Sequence, residues 1–152
     1  MTKFTTMGNG RHFYLGERRG NDSEYVAISE AKIANGIRGK LLKERKGKDD
    51  HTKLPRYAGK SDLYFRKNKN GICQARLYIG RKQFLDFDWG HEHTNTKDSR
   101  KFPKGTVHVQ LWTNDGHDNF TRDSANASYM NNTEMKKYGA LIRAFCPNVK
   151  FR

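Results

Sequence analysis

Apolar positions along this chain change their spacing twice. Between Asp22 and Lys46, Val26, Ile33, Ile37 and Leu41 fall near helical spacing, with Glu30 in the same series and Ala34 and Leu42 widening the stripe. Asp22 or Ser23 supplies an N-cap, Glu24 an acidic first turn, and Lys43, Arg45 and Lys46 complement the negative C-terminal dipole. The pattern predicts a helical stretch over 22–46. Gly36 and Gly39 weaken it, since each glycine costs about 1 kcal/mol relative to alanine in a helix interior. Residues 1–20 read as an irregular lead-in, limited by Gly8, Gly10, Gly16 and Gly20, with a short strand near 12–15.

After a basic loop over 47–61 that contains Pro55 and Gly59, the period shortens to two. Segments 63–67, 72–79, 83–89 and 106–113 read as four strands of an antiparallel sheet spanning 62–113. Asn70-Gly71 marks one hairpin and Gly80-Arg81-Lys82 the next turn. The turn-rich segment 114–132 reads as an ordered surface loop. Met135, Tyr138, Leu141, Ile142 and Phe145 then form a helical stripe over 133–146, ended by Pro147. The expected fold class is α+β in one domain, 1–152: an N-terminal helix, a four-stranded antiparallel sheet and a C-terminal helix.

Composition sharpens the expectation about partners. Apolar residues make up 34% of the 152 positions and aromatics 12%, which predicts a thin core built around Phe, Tyr and Trp. Thirty Lys and Arg against sixteen Asp and Glu give a formal charge of +14, densest between Arg38 and Lys60. Such a field favours a polyanion, nucleic acid before anionic membrane. No apolar run reaches the roughly 18 residues of a transmembrane helix, and the first twenty residues hold no apolar stretch of signal-peptide length. Cys73 and Cys146 lack the CxxC spacing of a structural zinc site and read as buried free thiols.

The residues suited to chemistry concentrate between Tyr78 and Trp112. Alternation puts Asp86 and Asp88 on one face of their strand, opposite Leu85, Phe87 and Trp89. In the last strand it sets His108 opposite Val107, Val109 and Leu111. If the apolar faces of these strands coincide, Asp86, Asp88 and His108 share the other face, with His91 and His93 at its rim. Two chemistries fit. In metal-independent RNA cleavage, which needs no cofactor, His91 or His93 acts with His108 as acid and base, an aspartate orients an imidazole, and Lys82, Arg81 or Lys104 holds the phosphate. In the alternative, Asp86, Asp88, His91 and His93 hold a divalent metal that activates water. Tyr64, Arg66 and Trp112 belong to an aromatic and basic mixture able to stack bases and bind phosphates, so a non-catalytic nucleic-acid-binding module is a further alternative. The bland reading makes the histidines solvated turn residues and pairs the aspartates with Arg76 and Arg81. His12, His51 and His117 lack comparable company.

Gly80, Asp86-Phe87-Asp88, His91, Phe102-Pro103 and His108-Val109-Gln110-Leu111-Trp112 together resemble a pattern in the C-terminal effector domains of bacterial polymorphic toxins. The resemblance covers residues 78–112. It implies a small basic ribonuclease-type domain, a helical part leading into an antiparallel sheet, that acts on RNA (tRNA or another nucleic acid) in the bacterial cytoplasm. It also implies delivery as a secreted effector domain and an acidic immunity protein as partner. Gln110 departs from the pattern, standing where such domains often carry a second histidine in the last strand.

Overall fold

The computed structural model describes residues 3–18, 21–44, 52–58, 63–117 and 119–152, with side chains from Tyr25 onward. Its main feature is a mixed sheet of seven strands, to which a three-residue strand adds an eighth at one edge. The strands are β1 (Lys3–Arg18), β2 (Asn21–Lys32), β3 (Arg38–Glu44), β4 (Leu63–Asn68), β5 (Gly71–Ile79), β6 (Lys82–Asp88), β9 (His108–Asn114) and β10 (Phe120–Arg122). They lie in the order β1-β2-β3-β4-β5-β6-β9-β10. Only β3 and β4 run parallel; the other neighbours are antiparallel. A second, two-stranded sheet joins β7 (His93–Thr94) to β8 (Lys101–Phe102).

The expected helix over 22–46 is replaced by the β2–β3 hairpin. From Tyr25 to Ala31 every second residue is buried, a period of two rather than 3.6. Gly36 adopts φ +89 in the connecting turn, where the Ile33 carbonyl accepts the Gly36 N–H and Asn35 Oδ1 accepts that of Ile37. Two short strands around that turn place Val26, Ile33, Ile37 and Leu41 at intervals that imitate a helical stripe. The irregular lead-in is likewise replaced, by β1. Its register with β2 slips between Thr6 and Arg11 and between Gly16 and Arg18, so Gly8, Gly10 and Gly16 lie within or at the limits of these irregularities, as bulge residues often do. The strand expected at 12–15 lies inside β1. Of the basic loop over 47–61, only 52–58 falls within the described residues, and His51 lies outside them. The α+β class with a four-stranded sheet therefore gives way to a mostly-sheet fold with one short C-terminal helix.

That helix begins at Asn131, whose side chain accepts the Glu134 N–H while the Glu134 carboxylate accepts that of Asn131. It runs through α1 (Asn132–Glu134), a π-helical turn (Met135–Gly139) and α2 (Ala140–Phe145). Leu141, Ile142 and Phe145 pack on one sheet face with Leu63, Phe65, Ala75, Phe87 and Val109. Phe65 and Phe145 stack at 4.1 Å between ring centroids. Gly39 is where strand and helix come closest: a Cβ there would lie 2.8 Å from Phe65 Cε1 and 3.2 Å from both Leu141 and Phe145. A smaller core of Tyr25, Ala27, Leu42, Leu54, Ala58, Tyr64 and Tyr78 forms separately. Strand β2 contributes to both, because its pairing with β3 shifts register between Ala27 and Ser29. Cys73 and Cys146 are unpaired. No helix among the described residues is long and apolar enough to cross a membrane.

Candidate functional site

The β5–β6 hairpin sets the register of the site. Gly80 and Arg81, at φ +57 and +66, are the two residues between β5 and β6, and positive φ at both central residues is the signature of a type I′ turn. Arg76 thereby lies opposite Asp86, and Gln74 opposite Asp88. On the other side β9 pairs Gln110 with Asp86 and His108 with Asp88. Gln74, Arg76, Asp86, Asp88, His108 and Gln110 thus share one face, as alternation predicts for the two aspartates and His108. The face is not open: all six are buried, Asp86 and His108 completely.

The two aspartates have different surroundings. Arg76 donates from Nε to Asp86 Oδ1 at 2.7 Å and from Nη2 to Oδ2 at 3.2 Å. The Arg76 guanidinium also reaches the Leu54 and Pro55 carbonyls and Gln83 Oε1. Arg122 approaches Asp86 Oδ2 at 3.6 Å, and both arginines lie over the Trp112 ring. Asp86 is therefore the anchor of a buried cationic network. Asp88 instead accepts the Gly90 N–H at 3.0 Å and stands 3.3 Å from His91 Nδ1. Burial pushes its carboxyl up, against the pull of His91 and the Gly90 N–H.

After Trp89 the chain folds back over the end of β6 and β9. The Gly105 N–H is accepted by the Trp89 carbonyl, and Cys73 lies so close to Gly90 that a Cβ there would meet it at 2.5 Å. This return lays two rings on His108: His91 edge-on at 5.8 Å and His93 stacked at 5.0 Å, with Phe102 at 5.7 Å. Asn95 holds the loop. Its amide both donates to and accepts from the Ala127 backbone at 2.9 Å, and His93 Nε2 is shared between Asn95 Oδ1 and the Ser124 carbonyl. His108, by contrast, has no hydrogen-bond partner among the described residues on either ring nitrogen. Burial, with His93, His91 and Arg122 nearby, pushes its pKa down to about 4, only partly offset by Asp86. The ring is neutral at pH 7.

Asp88, His91 and His108 each bring a ligand atom to one place, all within 4.8 Å of one another. This set differs from the one expected for a metal: Asp86 is taken up by Arg76, and His93 by Asn95 and Ser124. Among the other expected residues, Lys82 opens β6 and Arg81 precedes it, six and seven residues from Asp88. At about 3.3 Å per strand residue Lys82 is about 20 Å along β6 from Asp88. Lys104 is exposed in the turn before β9. Tyr64 is buried in the smaller core, edge-on to Tyr78, and offers no stacking surface.

Arg66 and Trp112 instead line a cleft of about 910 Å³, with Lys53, Arg56, Lys69, Arg76, Arg122 and Phe120. Among the described residues no carboxylate lines it, although buried Asp86 lies behind Arg76 and Arg122. Gln74, directly opposite Asp88, also lines it, so the cleft adjoins the histidine cluster. Arg122 and Phe120 sit on β10, within the stretch 114–132 that reads as turn-rich. Their three-residue strand carries too little periodicity to be found from sequence. His117 is exposed in the turn at 115–117, outside the cluster, and the His12 side chain lies outside the described residues.

No family model matches the chain, and no curated protein and no solved structure matches it. The likeness to toxin effector domains accordingly rests on residues 78–112 alone.

Proposed function

We propose that this protein is a ribonuclease whose reaction centre is the Asp88, His91 and His108 cluster. The observation that carries the proposal is the adjoining cleft: six cationic side chains and two aromatic rings, with no carboxylate among the described lining residues, beside a carboxylate and two imidazoles that converge on one place. Cationic walls favour the phosphodiester backbone, and Trp112 and Phe120 offer faces on which unpaired bases stack. Breaking the backbone through the 2′-hydroxyl forms the P–O2′ bond and breaks P–O5′. The 2′-OH proton must be taken up, the 5′-oxygen must gain one, and the charge on the phosphorane must be offset. Arg122 fits the last requirement, since it lines the cleft and also acts on His108.

An effector of the kind the 78–112 pattern resembles would act on RNA in the bacterial cytoplasm, silenced by an acidic immunity protein over the basic cleft. The test is incubation of purified protein with total RNA. Discrete products are expected from the wild type and none from His108→Ala. Tight, salt-sensitive binding of RNA that stays intact would replace the proposal with a binding module.

A further inference from the structure

His108 is the most costly side chain of the site as it stands. A donor and an acceptor buried without partners each carry a penalty of about 1–3 kcal/mol, so such a group calls for an explanation. Proton exchange with substrate is a poor one. A general base must approach the proton it takes to about 3 Å, and His108 has no exposed surface.

We propose that Asp88, His91 and His108 bind one divalent ion of the zinc class. Two imidazole nitrogens and one carboxylate oxygen, with a fourth position left to water or substrate, make a usual catalytic zinc set, whereas Mg²⁺ prefers an all-oxygen shell. Ligands about 2.1 Å from a tetrahedral ion lie about 3.4 Å from one another. The three atoms already lie within 4.8 Å, and His91 Nδ1 is 3.3 Å from Asp88 Oδ1. The remaining closure falls to His91, whose side chain is 58% exposed. The other two ligands are held in place, Asp88 by the Gly90 N–H and the His108 ring between His93 and its strand. Asp86 stays outside the shell because both its oxygens are held by Arg76, and His93 because its Nε2 is shared between Asn95 and Ser124. The exposed side of His91 leaves the ion open toward solvent, where it would act as a Lewis acid on a phosphoryl oxygen. That role rests on the ribonuclease reading; the binding itself does not.

The test uses the whole chain, stripped with EDTA and titrated with Zn²⁺ by calorimetry, and with Co²⁺ by visible absorption. One ion per chain is expected, together with Co²⁺ bands of a low-coordinate site. His91→Ala, which alters an exposed ring and leaves the fold in place, should weaken binding at least tenfold, as should His108→Ala and Asp88→Asn. His117→Ala should leave it unchanged. Absence of binding, or binding equal in His91→Ala and wild type, overturns the site. RNA cleavage by the same samples separates the two proposals. Stoichiometric binding without cleavage sinks the ribonuclease and keeps the metal site. Undiminished cleavage in EDTA keeps the ribonuclease and removes the ion from it.

Discussion

Replacing His108 with leucine should stabilise the fold and abolish cleavage. The substitution removes two buried ring nitrogens without partners, each costing about 1–3 kcal/mol. Against this stands the loss of ring contacts with His93 and Phe102 at 5.0 and 5.7 Å, about 0.5–1.5 kcal/mol for a good aromatic pair. The balance is a gain of about 1–3 kcal/mol. At roughly 2–4 °C per kcal/mol for a chain of this size, Tm rises by several degrees. The measurement is thermal unfolding at pH 7.5 in EDTA, so that a bound ion cannot mask the comparison.

Acid provides a second reading of the same side chain. The folded-state pKa of His108, about 4, lies below the ordinary 6.5, so the unfolded chain takes the proton first. The contribution of His108 to stability is then fullest above pH 6.5 and falls as pH drops towards 4. The group accounts for about 2–3 kcal/mol of that loss, once water beside the exposed His91 is allowed for. His108→Leu should lack this step. A leucine variant less stable than wild type in EDTA, with its acid step intact, would mean that the nitrogens have partners in solution and would refute the reasoning.

Arg76→Met should cost about 3–5 kcal/mol in urea unfolding, because it leaves the buried Asp86 carboxylate with only Arg122 at 3.6 Å; adding Asp86→Leu should restore most of the loss. Gly39→Ala should lower stability by about 1–3 kcal/mol in thermal unfolding, since the new methyl overlaps Phe65 at 2.8 Å in a packed layer. In a His108→Ala background, which should bind RNA without cutting it, Lys53→Ala and Lys69→Ala should each weaken binding. Each should also reduce the slope of log K against log salt by about one, if it contacts a phosphate.

The local part of the site is written in the sequence. A period of two over β5, β6 and β9, with Gly80-Arg81 closing one hairpin, is enough to put Asp86, Asp88 and His108 on a common face, because strand alternation needs no knowledge of the rest of the fold. The C-terminal stripe of Leu141, Ile142 and Phe145 is legible because helical spacing is equally local, while its start, expected at 133, is set by the Asn131 cap. Residues 22–46 were not legible. Two strands flanking a turn repeat their apolar positions at nearly helical intervals, and only pairing with β1 and β4 distinguishes the hairpin from a helix. The roles of individual polar groups depended on tertiary structure in the same way. Arg76 and Asp86 meet across strands, and the loop from Trp89 to Gly105 closes His91 and His93 over His108. Hydrogen bonds from Asn95 in that loop to the backbone of distant Ala127 hold it in place. Burial and hydrogen-bond partnership are properties of the assembled chain. They separate an aspartate anchoring arginines from one two residues away that faces two histidines.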